Sequence, residues 1–306
     1  MNLRRLFSRT ALSRPKELVA QIVQHTAESI DDAPQGWEPG HFYSPVPSLS
    51  QFRRMEHRLY QSPRSIPGIE LNEAGQLELI SKVATYYAEQ PFPPHKQEKW
   101  RFFFENPNFP YGEAIVYYGL LRHLRPQRVI EVGSGYSTAV LLDTLDIGEI
   151  RAECTCIEPF PELLLSLIRP EDERRLRIVS SELQQVDLGM FDALGPGDIL
   201  FIDSTHVSKV GSDVNIIFFE ILPRLASGVY VHFHDVFYPF EYPKKWVLEG
   251  RCWNEIYVLR AFLTYNATFR VELFISYLAQ HHRDVLSSSL PLVAWRPGSS
   301  LWLRKN

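Results

Sequence analysis

The chain has 306 residues, of which 45% are hydrophobic and 22% charged, and it carries a net charge of −4. This composition excludes disordered and collagen-like chains, and the weak negative balance offers no basic field for broad nucleic-acid binding. The longest apolar runs, such as Ile199–Ile202 and Ile216–Phe219, fall far short of the roughly 20 residues a membrane-spanning helix needs.

Residues 1–16 contain Arg4, Arg5, Arg9, Arg14 and Lys16 and no acid. A transit peptide or a membrane-surface helix can look like this. No apolar core of secretory length accompanies the charges, so the segment reads as a solvated basic arm. Prolines punctuate the next stretch from Pro34 to Pro94 and block helix interiors and central strands. Helices are expected over Pro15–Ser29 and Glu70–Tyr87. In the second, Leu77, Ile80, Val83, Ala84 and Tyr87 recur at helical spacing. Residues 1–95 therefore read as a helical and irregular N-terminal extension or cap, and 96–306 as the main domain.

From Tyr111 onward the pattern alternates. Helices are expected over Tyr111–Leu124, Ser137–Leu145, Glu162–Ile168, Asp213–Leu225 and Trp253–Tyr265. Strands are expected over Arg128–Val132, Ala152–Ile157, Leu176–Val179, Asp198–Asp203 and Val229–Phe233, with β-like runs at Arg270–Tyr277 and Ser300–Arg304. Short apolar strands separated by helices specify a parallel sheet covered on both faces. Right-handed crossovers then give a doubly wound α/β fold, an αβα sandwich of three layers. In such folds ligands sit beyond the carboxyl ends of the strands. Cys154, Cys156 and Cys252 give no disulfide framework and suit a reducing, cytoplasmic setting.

The first strand runs into Glu131-Val132-Gly133-Ser134-Gly135-Tyr136-Ser137-Thr138. Glycines at 133 and 135 let the backbone turn sharply and approach a ligand, and the following helix points free N–H groups at the loop. A nicotinamide-binding loop would carry a third glycine where Thr138 stands. Glu131 is unfavourable beside a pyrophosphate and suits a ligand with an ammonium group and ribose hydroxyls. The second strand ends at Glu158, placed to accept hydrogen bonds from both hydroxyls of an adenosine ribose. Asp203 and His206 follow the strand Asp198–Asp203, and His234 and Asp235 follow Val229–Phe233. All four belong to one rim of the sheet.

Glu131–Thr138, Glu158 and the strand Asp198–Asp203 resemble the motifs of class I S-adenosylmethionine-dependent methyltransferases. The likeness covers roughly residues 100–306 and is greatest to a poorly characterised bacterial branch. It implies the Rossmann-like fold and S-adenosylmethionine as cofactor, bound by Glu131, Gly133, Ser134, Gly135, Tyr136, Ser137, Glu158 and Asp203. It also implies methyl transfer to an oxygen of a small molecule, such as a sugar or phenolic metabolite, with self-association compatible. Competing readings are a nicotinamide-linked oxidoreductase and a non-catalytic cofactor-binding module in an assembly.

Within that superfamily the catechol O-methyltransferase type gives a finer comparison. Asp203 falls on its metal-binding Asp, His206 on its basic Lys, and His234 and Asp235 on its Asp-Asn metal pair. His234 departs from a hard oxygen ligand, and imidazole suits manganese, iron or zinc better than magnesium. The resemblance thus implies either a divalent metal on Asp203, His234 and Asp235, or a metal-free site. In either, His206, Asp203 and His234 are the catalytic candidates, with His206 or His234 as base; a structural polar cluster is the remaining reading. Tyr111, Tyr117, Tyr118 and Tyr136 are candidates for a pocket lining or for the core. Phe237–Pro243 reads as a substrate-covering loop or a packed surface loop. Cys154 and Cys156 read as core residues.

Overall fold

The computed structural model describes residues 36–306; the basic arm and the helix expected over Pro15–Ser29 lie outside them. The chain divides into a unit ending at Phe52 and a larger unit from Arg53 to Asn306. In the first, Trp37 and His41 stack with ring centroids 4.4 Å apart, and Phe42 and Tyr43 pack around them.

Helix α1 (Leu49–Leu59) was not anticipated. In the larger unit α2 (Glu73–Ala84) and α3 (Tyr111–Leu124) lead into β1 (Arg128–Val132). There follow α4 (Tyr136–Ile147), β2 (Glu153–Ile157), α5 (Glu162–Leu167), β3 (Leu176–Val179) and β4 (Ile199–Ile202). A helix α6 then runs over residues 213–224, before β5 (Tyr230–Phe233), α7 (Lys244–Leu248) and α8 (Glu255–Leu263). The chain closes with β6 (Phe269–Phe274), α9 (Ile275–His281), α10 (Arg283–Ser289), α11 (Pro291–Trp295) and β7 (Leu301–Lys305).

The sheet has seven strands in the order β3-β2-β1-β4-β5-β7-β6. Strands β1 to β5 pair in parallel, and β7 runs antiparallel between β5 and β6. This is the doubly wound sandwich expected, closed by an antiparallel strand pair. The central strands are mostly apolar because helices cover both faces; every residue of β4 is apolar and fully buried. Register aligns the strand ends. Val132 is paired with Ile157 and with Ile202, and Ile202 with Phe233. The loops after β1, β2, β4 and β5 therefore leave the sheet at one level. Phe233 also faces Leu301, so the antiparallel β7 delivers Ser299 and Ser300 to the same rim.

Three elements depart from expectation for local reasons. Helix α6 contains a wide turn at Ile217–Ile221, where the Leu222 amide reaches back to the Ile217 carbonyl. Pro223, one residue on, has no N–H to continue a regular ladder. Helix α8 starts at Glu255 and not Trp253, because the amides of Asn254 and Glu255 both donate to the His206 carbonyl (3.0 and 3.1 Å). The run Arg270–Tyr277 is strand only to Phe274 and turns helical at Ile275. The buried Gln76 carbonyl accepts the Phe274 amide (2.8 Å) at that switch.

Candidate active site

Two loops frame a groove of about 350 Å³ over the carboxyl ends of β1, β2 and β4, lined by Val132, Gly133, Glu158, Phe160, Leu183, Asp203 and Thr205 among others. Glu158 ties its walls together. Its Oε2 accepts the Ser134 amide (3.1 Å) and its Oε1 the Phe160 amide (2.9 Å). A carboxylate has about four acceptor sites, so two remain for vicinal hydroxyls.

Gly133, Glu158 and Asp203 line the groove as the sequence suggested. Ser134 contributes its amide to Glu158, while its hydroxyl is buried without a partner. Gly135, Tyr136 and Ser137 form the turn behind the groove; Tyr136 packs edge-on against Phe103. Glu131 differs from expectation. It is fully buried and faces the core, accepting hydrogen bonds from Thr138 and from Tyr117 (3.2 Å), with Cys156 Sγ 3.6 Å away. Burial is the main effect on this carboxyl and, against those hydrogen bonds, pushes it up to about 7. Thr138 Oγ1 also accepts the Gly135 amide (3.3 Å). The pair therefore braces the loop from beneath, and Glu131 is not among the residues that line the groove.

The rim residues converge, and more closely than the sequence implied. His206 Nε2 lies 3.3 Å from Asp203 Oδ1 and 3.7 Å from Asp235 Oδ2. His234 Nδ1 lies 3.4 Å from Asp203 Oδ1 and 3.4 Å from Asp235 Oδ1. Asp203, His206 and His234 present ligand atoms within 4.8 Å of one another. His206 thus stands inside the cluster. His206 and Asp235 hold φ values of 60° and 55°; such strain in non-glycine residues costs on the order of 1–3 kcal/mol and gathers at functional sites.

Burial disfavours charge on both imidazoles, yet the surrounding carboxylates overturn it. Asp203 and Glu255 push His206 up to about 10. Asp203, Asp235 and Glu113 push His234 well above the ordinary range. Asp203 and Asp235 are held low despite burial, chiefly by His234. The surrounding carboxylates thus favour the protonated form of His206, which works against its taking a further proton as a base.

Sequence reasoning missed Glu113, Glu255 and Ser299. Glu255 Oε2 lies 2.8 Å from His206 Nδ1, and Glu113 Oε1 3.4 Å from His234 Nε2. Ser299 Oγ is 2.8 Å from Glu113 Oε1 and 3.0 Å from Asp235 Oδ1. A signal existed for Glu113, an acid in the otherwise apolar run Tyr111–Leu121. None existed for Glu255. Tyr117, Tyr118, Cys154 and Cys156 are core, and Tyr238, Phe240 and Tyr242 of the loop Phe237–Pro243 are buried.

Residues 130–236 match the family model described as a methyltransferase domain. That stretch, from within β1 to just past β5, is thus similar to a methyltransferase domain. An uncharacterized protein of Archaeoglobus fulgidus is 28% identical over 184 residues, which cover 58% of this chain and 82% of that protein. Among solved structures, the Podospora anserina methyltransferase PaMTH1 with S-adenosylhomocysteine bound is 14% identical with a TM-score of 0.41, covering 89% of this chain and all of that one. An O-methyltransferase from Bacillus cereus, also with S-adenosylhomocysteine, is 15% identical with a TM-score of 0.36, covering 72% and 88%. Among the described residues, no helix is long and apolar enough to cross a membrane.

The rim also fits a divalent cation. Both ring nitrogens of His234 are buried and lack any hydrogen-bond partner, although carboxylates surround them. Buried polar atoms without partners are costly, and a cation held between His206, His234, Asp203 and Asp235 would satisfy Nδ1, with Nε2 left to Glu113.

Proposed function

We propose that this domain moves the methyl group of S-adenosylmethionine to an oxygen of a small-molecule acceptor bound over the rim. The observation that carries this reading is the double position of Asp203: it lines the cofactor groove and lies 3.3–3.4 Å from both imidazoles of the cluster. Cofactor and acceptor would therefore meet at one carboxylate. In the reaction the acceptor O–H gives its proton to solvent water at the rim, its oxygen forms the O–CH3 bond and the S–CH3 bond breaks with its electron pair staying on sulfur, leaving S-adenosylhomocysteine.

Glu158 would hold the ribose, and the backbone around Gly133 would let the cofactor lie close to the sheet. Gly133, Glu158 and Asp203 keep their assignment to cofactor binding, as do the loop residues Ser134, Gly135, Tyr136 and Ser137 that shape the wall. Asp203 orients the acceptor hydroxyl toward the sulfonium, since attack must be in line. Asp203, His234, Asp235 and, in this reading, His206 would hold a divalent cation, which lowers the pKa of a bound hydroxyl as a Lewis acid. The buried free thiols of Cys154 and Cys156 agree with a cytoplasmic setting.

The test is binding followed by product analysis. Calorimetry is expected to show S-adenosylhomocysteine binding and no NAD binding; the reverse would establish an oxidoreductase. Methyl-labelled S-adenosylmethionine, incubated with the protein and a metabolite extract, should label an ether or ester oxygen on mass spectrometry. Label on nitrogen or carbon would overturn the oxygen assignment, and no label under metal-replete conditions would favour the non-catalytic module.

A further inference from the structure

Behind each imidazole of the rim stands a carboxylate that sequence reasoning did not find. The Glu255 side chain is 2% exposed and opens helix α8. Its Oε2 lies 2.8 Å from His206 Nδ1, and its Oε1 accepts the Ser204 hydroxyl at 3.0 Å. The same loop and helix are joined through the backbone, since the His206 carbonyl accepts the amides of Asn254 and Glu255. The carboxylate fixes a proton on Nδ1 and leaves Nε2 facing Asp203 and Asp235. On the other side, Glu113 Oε1 is held by the amide and hydroxyl of Ser299 (both 2.8 Å) and lies 3.4 Å from His234 Nε2. That leaves His234 Nδ1 facing the same Asp203 and Asp235. Two imidazole nitrogens and Asp203 thus lie within 4.8 Å of one another, with Asp235 3.4–3.7 Å from both imidazoles and Trp253 4.4 Å from the His206 ring.

Carboxylates behind ligating histidines set the tautomer, fix the ring and raise its basicity as a ligand. The donor set is equally telling. Magnesium takes oxygen ligands and keeps its waters, whereas imidazole favours first-row transition metals. We propose that Glu255 and Glu113 are positioning residues that aim His206 and His234 at a transition-metal dication, completed by Asp203 and Asp235, so that the rim selects manganese, iron or zinc over magnesium. The proposal rests on the functional reading above for what the ion does, and on geometry alone for its binding.

The test uses the full chain, stripped with chelator and titrated with Mn²⁺ and with Mg²⁺. Manganese is expected to bind at least about tenfold more tightly than magnesium, with magnetic coupling to histidine nitrogen in pulsed electron paramagnetic resonance. Glu255→Gln is expected to weaken Mn²⁺ binding by about 10–100-fold, and Glu113→Gln to weaken it less, in keeping with its longer contact. Equal affinity for the two ions, no nitrogen coupling, or unchanged Mn²⁺ affinity in both variants would overturn the proposal. Should Glu255→Gln fail to fold, the nitrogen coupling of the unmodified chain and the Glu113→Gln titration decide the matter. S-adenosylhomocysteine is titrated against the same samples. Its failure to bind the unmodified chain would overturn the functional reading and leave the metal result standing.

Discussion

Gly133 lies against the backbone of Asp203 so closely that a Cβ on it would meet the Asp203 carbonyl oxygen at 2.1 Å. The loop after β1 and the end of β4 are therefore one device, joined where the groove meets the rim. Gly133 also holds φ at +82°, a conformation that costs other residues roughly 1–2 kcal/mol. Gly133→Ala combines that strain with a clash against backbone that has no rotamer to yield. We expect the melting temperature to fall and S-adenosylhomocysteine affinity to drop at least about tenfold, read by thermal unfolding and calorimetry. Native affinity in a folded variant would mean that the cofactor lies elsewhere.

Glu158 both braces the groove and offers its spare acceptor sites to the ribose. Glu158→Ala removes the acceptor for the Ser134 and Phe160 amides and any charge-assisted bond to a hydroxyl. Such bonds contribute about 1.5–3 kcal/mol, so the dissociation constant for S-adenosylhomocysteine should rise by about 10–150-fold. A constant that does not move would place Glu158 outside the site.

The contrast between Glu158 and Glu255 marks what the sequence could say. Glu158 follows an apolar strand by one residue, and strand ends in a parallel sheet have a known destination. The same logic located Asp203, His206, His234 and Asp235. Glu255 reaches His206 only because helix α8 begins where the His206 carbonyl caps it, a tertiary contact 49 residues apart with no local pattern. Ser299 arrives because β7 inserts antiparallel beside β5, and strand order is not written in any one segment. Glu131 faces Thr138 and Tyr117 because it lies one residue before the end of β1, and periodicity does not say which face it takes. The sheet and its helices were legible from alternation, but the short helices α9 to α11 follow one another without the long amphipathic stripe that announces a helix.

Arg101 is a structural counterpart to the rim. Its side chain is 2% exposed and pairs with Asp143 and Asp172, both buried, and with Asp146. Its Nε and Nη2 grip Asp172 with two parallel bonds (2.8 and 2.6 Å). Arg101→Met would leave Asp143 and Asp172 buried without that cation, and removing one partner of such a pair costs about 3–5 kcal/mol. The melting temperature should fall steeply, and adding Asp172→Asn should recover part of the loss. A single variant that melts with the unmodified protein would show the network contributes nothing.

Glu131 offers a pH signature that separates its bracing role from cofactor contact. Its carboxyl titrates at about 7 in the folded chain against an ordinary 4.5, with burial as the main cause. Below pH 4.5 both folded and unfolded chains hold the proton. Between pH 4.5 and 7 the unfolded chain releases it while the folded chain keeps it, so stability falls as pH rises. At 1.36 kcal/mol per unit the loss reaches about 3 kcal/mol by pH 7 and then levels off. Glu131→Gln carries no ionisable proton and removes this slope, while its amide can still accept the Thr138 hydroxyl. Urea unfolding at pH 5 and pH 7.5 should therefore show the variant gaining about 2.4 kcal/mol relative to the unmodified protein across that interval. S-adenosylhomocysteine affinity should change little at either pH, since Glu131 faces Tyr117 and Cys156 and not the groove. If affinity collapses while the pH slopes of the two proteins coincide, Glu131 meets the cofactor after all and the brace is not its role.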